Sequence, residues 1–366
     1  MYEEMSRGKL EHDDVLLVKT GTIGKTKYVD TIPESRAAVN QHVFLLKPSE
    51  KLRGRLVAYQ LRSPWVQNQL DLYIRGSVQA FLRSTFANEV QLIIPPDEIQ
   101  EKLLRYLDNS TDHINYLIDK NQRLVNLLKE KRQVVIEESV TKGIDCQEFS
   151  SNDRLTVLGE HPENWEVRRA KTIFYRRDDR GYDELPLLEV SLNHGVRLRE
   201  ENEDRNAWTA SDLEDMKRVA VDDLVFNKMR LWQGAIGRSD YEGLVSPDYT
   251  VLKPRLEANP IYYEHLLRTR AYKTEVNRRS YGVVDDRNRI YWKQFGDMPL
   301  LHPSPEEQAE IVEHINEETK KIDELREKVN NAIELLDEKR QALITAAVTG
   351  QIDVADWDPS EQEAPA

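Results

Sequence analysis

One long segment of this chain occurs twice, and the two copies align without a gap. Residues 95–145 match residues 303–353, so that Gln308 lies 208 positions after Gln100. Both copies contain the run EKRQ, and both end with VT and then ID. An ungapped match of this length indicates an internal duplication. The fold must therefore accommodate two related halves.

Each copy carries the apolar pattern of a long helix. Apolar residues recur at steps of three and four, at Leu103, Leu107, Ile114, Leu117, Leu124, Leu128 and Val135. The matching positions of the second copy are Ile311, Ile315, Ile322, Leu325, Ala332, Leu336 and Leu343. This is the a/d seam of a coiled coil. At 1.5 Å per residue each helix is ~65 Å long, which is too long to be buried inside one domain.

The two seams leave two arrangements open. The helices could each dimerise with another chain, or they could pair with each other. We favour one antiparallel pair within the chain, because each copy supplies one apolar stripe and the stripes match in length. Proline precedes each helix, and Gly143 and Gly350 mark where the helices end.

A mixed region precedes each long helix. In 1–94, DDVLLVKT reads as a strand, RLVAYQLRSPWVQNQL as a helix and EVQLIIPP as a second strand. In 161–302, DDLVFNK and PIYYEHLLRTRAYKTEV repeat the first two in the same order. The second region also has a beginning, from Trp165 to about Thr209, that the first lacks. We therefore expect the first domain to be N-terminally incomplete.

Composition limits the class of protein. The formal net charge is −13, but most of the acidity lies in 303–353 and in the tail 354–366, so a basic face elsewhere is compatible with it. No apolar stretch reaches the ~20 residues of a membrane span. Cys146 is the single cysteine, which excludes an internal disulfide and a cysteine-based zinc site. We expect a cytoplasmic protein without membrane contact.

The stretch VKTGTIGKT ends like a phosphate-binding loop. A P-loop requires G-x-x-x-x-G-K-[ST], and the position five before Gly24 is Lys19 rather than glycine. The second half has KMRLWQGAIGRS after its matching strand, so the shared element is G-x-I-G followed by Lys25 or Arg238. These glycines predict a tight turn, and nucleotide binding is disfavoured.

The order of these motifs, repeated at fixed spacing, resembles the DNA-specificity subunit of type I restriction–modification systems. Residues 13–17 with Gly21 and Gly24 are similar to that family's D-I-L…G…G segment, and 76–79 to its G-S-x-Q turn. Glu307-Gln308 after Pro303 resembles the start of its conserved helix, and 348–350 resembles the end. The chain departs from the family pattern at Ile99 and at 281–284, where G-S-x-Q is absent.

The resemblance implies an α+β fold. Two mixed α/β target-recognition domains would be separated by two long helices that form an antiparallel coiled coil. The predicted boundaries are 1–94 for the first, incomplete recognition domain, 95–145 for the first helix, 146–160 for a linker, 161–302 for the second recognition domain, 303–353 for the second helix and 354–366 for an acidic tail.

The resemblance also implies a function. A specificity subunit reads the two halves of a split target in double-stranded DNA, and its helices dock two methyltransferase subunits. Restriction and translocase subunits join through that complex. This chain would be non-catalytic and hold no cofactor or metal, while the partner methyltransferase would bring S-adenosylmethionine and flip the target base.

Two other classes remain as alternatives. One is a coiled-coil scaffold that does not read DNA, or a truncated specificity chain that pairs with another subunit. The other is a P-loop or nuclease enzyme, for which we find no motif: Asp337, Glu338 and Lys339 lie mid-helix, and the histidines have no metal-ligand spacing.

Base reading requires Arg, Lys, Asn, Gln or Ser side chains on loops that enter the major groove. The candidates in the first domain are Lys19, Lys25, Arg75, Ser77 and Gln79. The candidates in the second domain are Lys228, Arg230, Gln233, Arg238, Arg278, Arg279, Arg287, Asn288 and Arg289. Trp232 is a further residue that could stack on DNA or belong to the core.

Overall fold

The computed structural model describes residues 9–32, 39–76, 79–145, 148–151, 159–192, 194–199, 213–255, 257–281, 288–355 and 357. The chain divides into two compact units. Unit 1 contains Met1–Asn126 with Glu327–Ala366, and unit 2 contains Leu127–Arg326. The division falls within both long helices, so each unit holds one piece of each helix. The α+β class with two long helices is confirmed.

Unit 1 begins with a small antiparallel sheet covered by helices. Its elements are β1 (Val15–Val18), β2 (Thr26–Tyr28), β3 (Val43–Leu46), α1 (Gly54–Arg62), α2 (Pro64–Asp71), β4 (Ile74–Arg75), β5 (Phe81–Leu82), α3 (Phe86–Glu89) and the first part of α4 (Asp97–Lys142). The strand order is β2-β1-β3, with Val15 opposite both Tyr28 and Leu46. Val15 and Leu17 are fully buried because alternate residues of a strand share one face.

Unit 2 is larger, and most of its strands precede its helices. Its elements after α4 are β6 (Phe149–Ser151), β7 (Glu160–Pro162), β8 (Glu166–Arg169), α5 (Ala170–Ile173), β9 (Phe174–Arg177), β10 (Leu188–Ser191), β11 (Gly195–Leu198), β12 (Lys217–Val219), β13 (Leu224–Asn227), β14 (Ile236–Arg238), β15 (Gly243–Val245), β16 (Tyr249–Pro254), α6 (Pro260–Arg268), α7 (Arg270–Arg279), α8 (Trp292–Gly296), β17 (Pro299–His302) and the first part of α9 (Pro305–Val348). The central sheet has the order β14-β13-β16-β9.

The two sheets have the same framework. β13, β14 and β16 occur in this order, with β15 between the last two, and pair as β1, β2 and β3 do. The paired aspartates before β1 and β13 form the same turn, because Asp13 and Asp222 both have a left-handed backbone, with φ of 73° and 68°. The next residue, Asp14 or Asp223, is buried and accepts a hydrogen bond from the amide three residues earlier. The predicted duplication therefore extends into the globular parts.

The long helices pair antiparallel within each unit. In unit 1, Leu103 near the start of α4 shares a core with Val348 at the end of α9, and Arg340 donates to the Asn115 side chain at 2.6 Å. In unit 2, Arg132 donates to Asp323 at 3.2 Å. Arg132 and Arg340 occupy the same repeat position, as do Asn115 and Asp323. One interhelical contact is thus made twice, once in each unit.

The seam is less buried than the apolar pattern predicts at two positions. Most seam residues are buried or half-buried, but the side chain of Leu124 is 38% exposed and that of Leu325 is 45% exposed. Two helices alone cover only the centre of the stripe, so residues at its edge stay in contact with solvent.

A buried glutamine connects each long helix to the helix that follows the sheet. Gln308 accepts from the Asn259 amide at 2.8 Å and donates to the carbonyls of Glu257 and Pro303 at 3.2 and 2.8 Å. Gln100 makes the equivalent three bonds in unit 1. Both side chains are almost fully buried, and each amide satisfies three backbone groups.

We predict that Gln308→Leu destabilises unit 2 by about 2–4 kcal/mol, because it leaves three backbone groups without their partner. Urea-dependent hydrogen exchange of the α6 amides measures this change. Gln133→Leu is the control, since Gln133 is exposed on α4 in the same unit. Equal stability of the two variants would contradict the role assigned to Gln308.

His265 on α6 gives unit 2 a sensitivity to acid. Burial, aided by the charges of Arg268 and Arg132, lowers the pKa of His265 to about 4. The same position on α1 is Tyr59, whose hydroxyl donates to Asp108 at 2.8 Å. As the pH falls below 6.5 the unfolded chain binds a proton that the folded chain does not take up until about pH 4. The free energy of unfolding therefore decreases across this window.

We predict that His265→Tyr removes this decrease, which amounts to up to about 3 kcal/mol between pH 6.5 and pH 4. Urea unfolding at pH 7 and at pH 4.5 compares the variant with the unaltered chain. If both lose the same free energy of unfolding between the two pH values, His265 is not the group responsible.

Candidate nucleic-acid interface

Several of the candidate residues lie near the ends of β1 and β13, whereas Arg238 lies opposite Leu224 at the start of β13. In unit 1, β1 ends at Val18, and the carbonyl of the next residue, Lys19, accepts from the Leu82 amide at 2.9 Å. In unit 2, β13 ends at Asn227, and the carbonyl of Lys228 accepts from the Ile290 amide at 3.0 Å. Each unit thus fixes the loop after its central strand against the segment that follows its paired short helices.

Polar side chains lie close together around the loop that follows β1 in unit 1. The Lys19 ammonium lies 5.5 Å from the centre of the Phe44 ring, and Thr20 bonds the His42 ring at 2.8 Å. Thr20 bridges to Phe81, and Phe81 pairs with Arg75, so the exposed Arg75 lies close to this loop. Gln79 and Lys25 are also exposed. Ser77 lies outside the described residues.

The G-x-I-G element of unit 1 is a tight turn between two strands. Gly21 and Gly24 both have a φ of 82°, and the loop leads into β2 rather than into a helix. A Cβ on Gly24 would lie 2.4 Å from the Gln67 Oε1 atom, and Gln67 donates to the Gly24 carbonyl at 3.1 Å. The glycines thus serve the turn and its contact with α2, as the sequence predicts, and not a phosphate cradle.

The unit 2 loop brings two groups of candidates together. Lys228, Arg230 and Gln233 lie between β13 and β14, and Arg230 and Gln233 are exposed. The Arg289 guanidinium lies 3.8 Å from the Met229 sulfur, which places Asn288 and Arg289 beside this loop. Trp232 is half-buried, donates to the Met229 carbonyl at 2.9 Å and packs on the core. Arg287 lies outside the described residues.

The other three candidate arginines of unit 2 have carboxylate partners. Arg238 is paired with Asp222 at 2.6 Å and also contacts Asp240. Arg278 and Arg279 both bond Glu275. Burial alone would raise the pKa of Glu275, but the bonds from these two guanidinium groups hold it below its ordinary value. Much of the donor capacity of these three side chains is already engaged.

A buried lysine that sequence reasoning missed holds the neighbouring loop. Lys217 on β12 donates to the carbonyls of Pro247 and Tyr249 at 3.0 and 2.8 Å, and Lys228 donates to the same Pro247 carbonyl at 2.7 Å. Burial, followed by the charge of Lys228, lowers the pKa of Lys217 to about 8. The lysine would be read as solvated from the sequence, because its partners lie thirty or more residues away.

Further cations surround this lysine. Arg176 and Arg180 contribute to the lowered pKa of Lys217, and Arg176 and Arg289 contribute, after burial, to the lowered pKa of Lys228. Asp178 opposes them in both cases and is paired with Arg176 at 2.5 Å. Lys217, Lys228, Arg176, Arg180 and Arg289 thus lie near the candidate loop, and the carboxylates of Asp178, Asp215 and Asp248 offset part of their charge. The remaining surplus of positive charge favours a polyanionic ligand.

Metal and membrane sites are not found in the described ranges. Among those residues, no group of three or more His, Cys, Asp and Glu side chains could hold a metal ion. Within the part of the chain that the structure describes, no helix combines the length and the apolar character that a membrane crossing needs.

Known proteins that are similar to this chain are DNA-specificity proteins of type I restriction systems. Residues 6–126 match the family described as type I restriction modification DNA specificity domain. The type I restriction enzyme EcoDI specificity subunit of Escherichia coli is 19% identical over 301 residues, which cover 77% of this chain and 67% of the relative. The sequence similarity is therefore to the DNA-specificity subunits of type I systems.

Two solved structures are similar to this chain in fold. The HsdS subunit from Thermoanaerobacter tengcongensis is 13% identical, with a TM-score of 0.50 over 95% of this chain and 84% of that one. A chain from a study of complex assembly and conformational transition of the type I R-M system is 14% identical. It has a TM-score of 0.67 and covers 95% of this chain and 85% of its own. At these identities the likeness concerns the fold alone.

Proposed function

We propose that this chain reads a split target in double-stranded DNA, with one half-site for each unit. The observation that carries the proposal is the loop at the end of β1 and of β13, which both units fix by the same backbone bond. In unit 1 the reading residues are Lys19, Lys25, Arg75, Ser77 and Gln79. In unit 2 they are Lys228, Arg230, Gln233, Arg287, Asn288 and Arg289.

The proposed DNA-contacting side chains fall into two groups, one suited to base edges and one suited to phosphate oxygens. Arg230, Gln233, Asn288 and Gln79 have the donors and acceptors that discriminate base edges in the major groove. The lysines suit phosphate oxygens, which fix orientation without reading sequence. Arg238, Arg278 and Arg279 contribute less in this proposal, because carboxylates already engage them.

The long helices are the proposed docking sites for two methyltransferase subunits. Leu127 on α4 and Leu335 on α9 occupy the same repeat position, and their side chains are 60% and 64% exposed. Exposed leucines at matching positions suit two identical partners. Restriction and translocase subunits would join through the methyltransferase. S-adenosylmethionine would bind in that partner, and this chain would take no part in the chemistry.

We predict that Arg230→Ala with Gln233→Ala weakens binding to DNA fragments selected by the unaltered chain by roughly tenfold or more. A specific base contact contributes about 1–3 kcal/mol, and both side chains are exposed, so the fold is expected to persist. Fluorescence anisotropy of the full chain, co-purified with its methyltransferase partner, measures the change.

Lys171→Ala is the matched control for this prediction, since Lys171 is exposed on α5 in the same unit and lies outside the proposed reading loops and the long helices. Unchanged fragment selection and affinity in the double variant would contradict the placement of the reading loop. A chain that binds the methyltransferase while the complex selects no DNA would support the scaffold instead.

A further inference from the structure

The sheet of unit 2 has one strand more than the sheet of unit 1. β16 pairs on its outer side with β9, with Leu252 opposite Arg176 and Pro254 opposite Phe174. Its counterpart β3 lies at the edge of the described sheet of unit 1, where the order is β2-β1-β3. The described residues of unit 1 thus supply no counterpart of β9.

A second pairing is missing at the entrance to the long helix. β17 pairs with β8, with Leu300 opposite Arg168 and His302 opposite Glu166. The corresponding residues of unit 1, 91–94, form no strand pair within the described ranges. β8, α5 and β9 are continuous in sequence, so the single segment Glu166–Arg177 makes both of the pairings that unit 1 lacks.

This segment also fills the core between the two pairings. The Ala170 amide donates to the Met298 carbonyl at 2.9 Å, and the Arg255 amide donates to the Ile173 carbonyl at 3.0 Å. The ring of Phe174 lies 5.1 Å from the ring of Tyr263, centre to centre. Ala170, Ile173 and Phe174 are buried. The segment is therefore an integral part of unit 2.

Unit 1 has an apolar groove at the corresponding place. The groove has a volume of about 390 Å³. Its lining includes Leu46, Lys47, Val57, Val90, Leu92 and Ile94. Val57 corresponds to Tyr263, Ser49 to Arg255 and Val90 to Met298, which are the residues that hold the segment in unit 2.

Among the described residues, the side chains at this place are more exposed in unit 1 than in unit 2. Met298 and Leu300 are fully buried and His302 is 6% exposed, whereas Val90 and Leu92 are half-buried and Ile94 is 56% exposed. Val90, Leu92 and Ile94 line one groove beside an unpaired strand edge, and a contiguous apolar surface of this kind is typical of a binding site.

We propose that this groove binds a strand–turn–strand segment of another polypeptide, related in chemistry to Glu166–Arg177. Its two strands pair with 45–48, the counterpart of Val251–Pro254, and with 91–94, which is recognition by β-augmentation. A small residue, a β-branched residue and an aromatic residue, at the positions of Ala170, Ile173 and Phe174, enter the groove. This interaction is independent of the DNA reading proposed above and is measured without DNA.

A labelled synthetic peptide of residues 163–179 is the probe, titrated into the full chain and followed by fluorescence anisotropy. We expect saturable binding and slower hydrogen exchange of the amides of residues 45, 47, 92 and 94, since the amides of Gln91 and Ile93 already donate to Gln69 and Gln60. A peptide with Ile173→Asp and Phe174→Asp is expected to bind at least about tenfold more weakly, because both carboxylates would have to be buried. Equal binding of the two peptides, or no protection of these amides, would overturn the proposal.

Two variants of the full chain test the groove itself. Ile94→Asp is expected to weaken peptide binding by roughly tenfold or more. Leu72→Asp is the control, since Leu72 is an equally open apolar residue of unit 1, 67% exposed, outside the groove lining. The same loss in both variants would overturn the assignment. Concentration-dependent dimers that protect the same amides without peptide would identify a second copy as the occupant and overturn the choice of partner.

Discussion

The burial of two apolar helix stripes is the constraint on which the rest of the structure depends. A helix of forty-six residues, such as α4, cannot cover its stripe within one small domain. Each unit meets this requirement by packing a piece of α4 against an antiparallel piece of α9. The guanidinium of Arg132 or Arg340 then sets the register in its unit, because its partner is the Asp323 or Asn115 side chain at the matching repeat position.

A few buried polar groups connect the long helices to the elements that support the candidate interface. Gln100 and Gln308 connect the start of each long helix to the backbone ahead of α1 and α6. Those helices cover the sheets, and the central strand of each sheet ends at Lys19 or Lys228. The loops differ in side chains while their support is the same, as expected if each unit reads a different half-site.

Features that depend on local chain geometry could be predicted from the sequence. The helices, their antiparallel pairing and the turn at Gly21 and Gly24 follow from periodicity, duplication and glycine spacing. Contacts between distant segments could not be predicted. The sequence predicts that Lys217 is solvated and Arg238 unpaired. In the fold, Lys217 donates to the Pro247 carbonyl and Arg238 pairs with Asp222. The groove of unit 1 depends on pairings between segments that are far apart in the sequence, so no local pattern indicates it.

The central claim is that each unit reads one half of a split DNA target. A genome-wide map of methylated adenines, made with and without this chain in cells that contain its methyltransferase partner, tests it most directly. We expect one gapped motif with two specific halves to lose its methylation when the chain is removed. An unchanged map, or a lost motif with only one specific half, would contradict the claim.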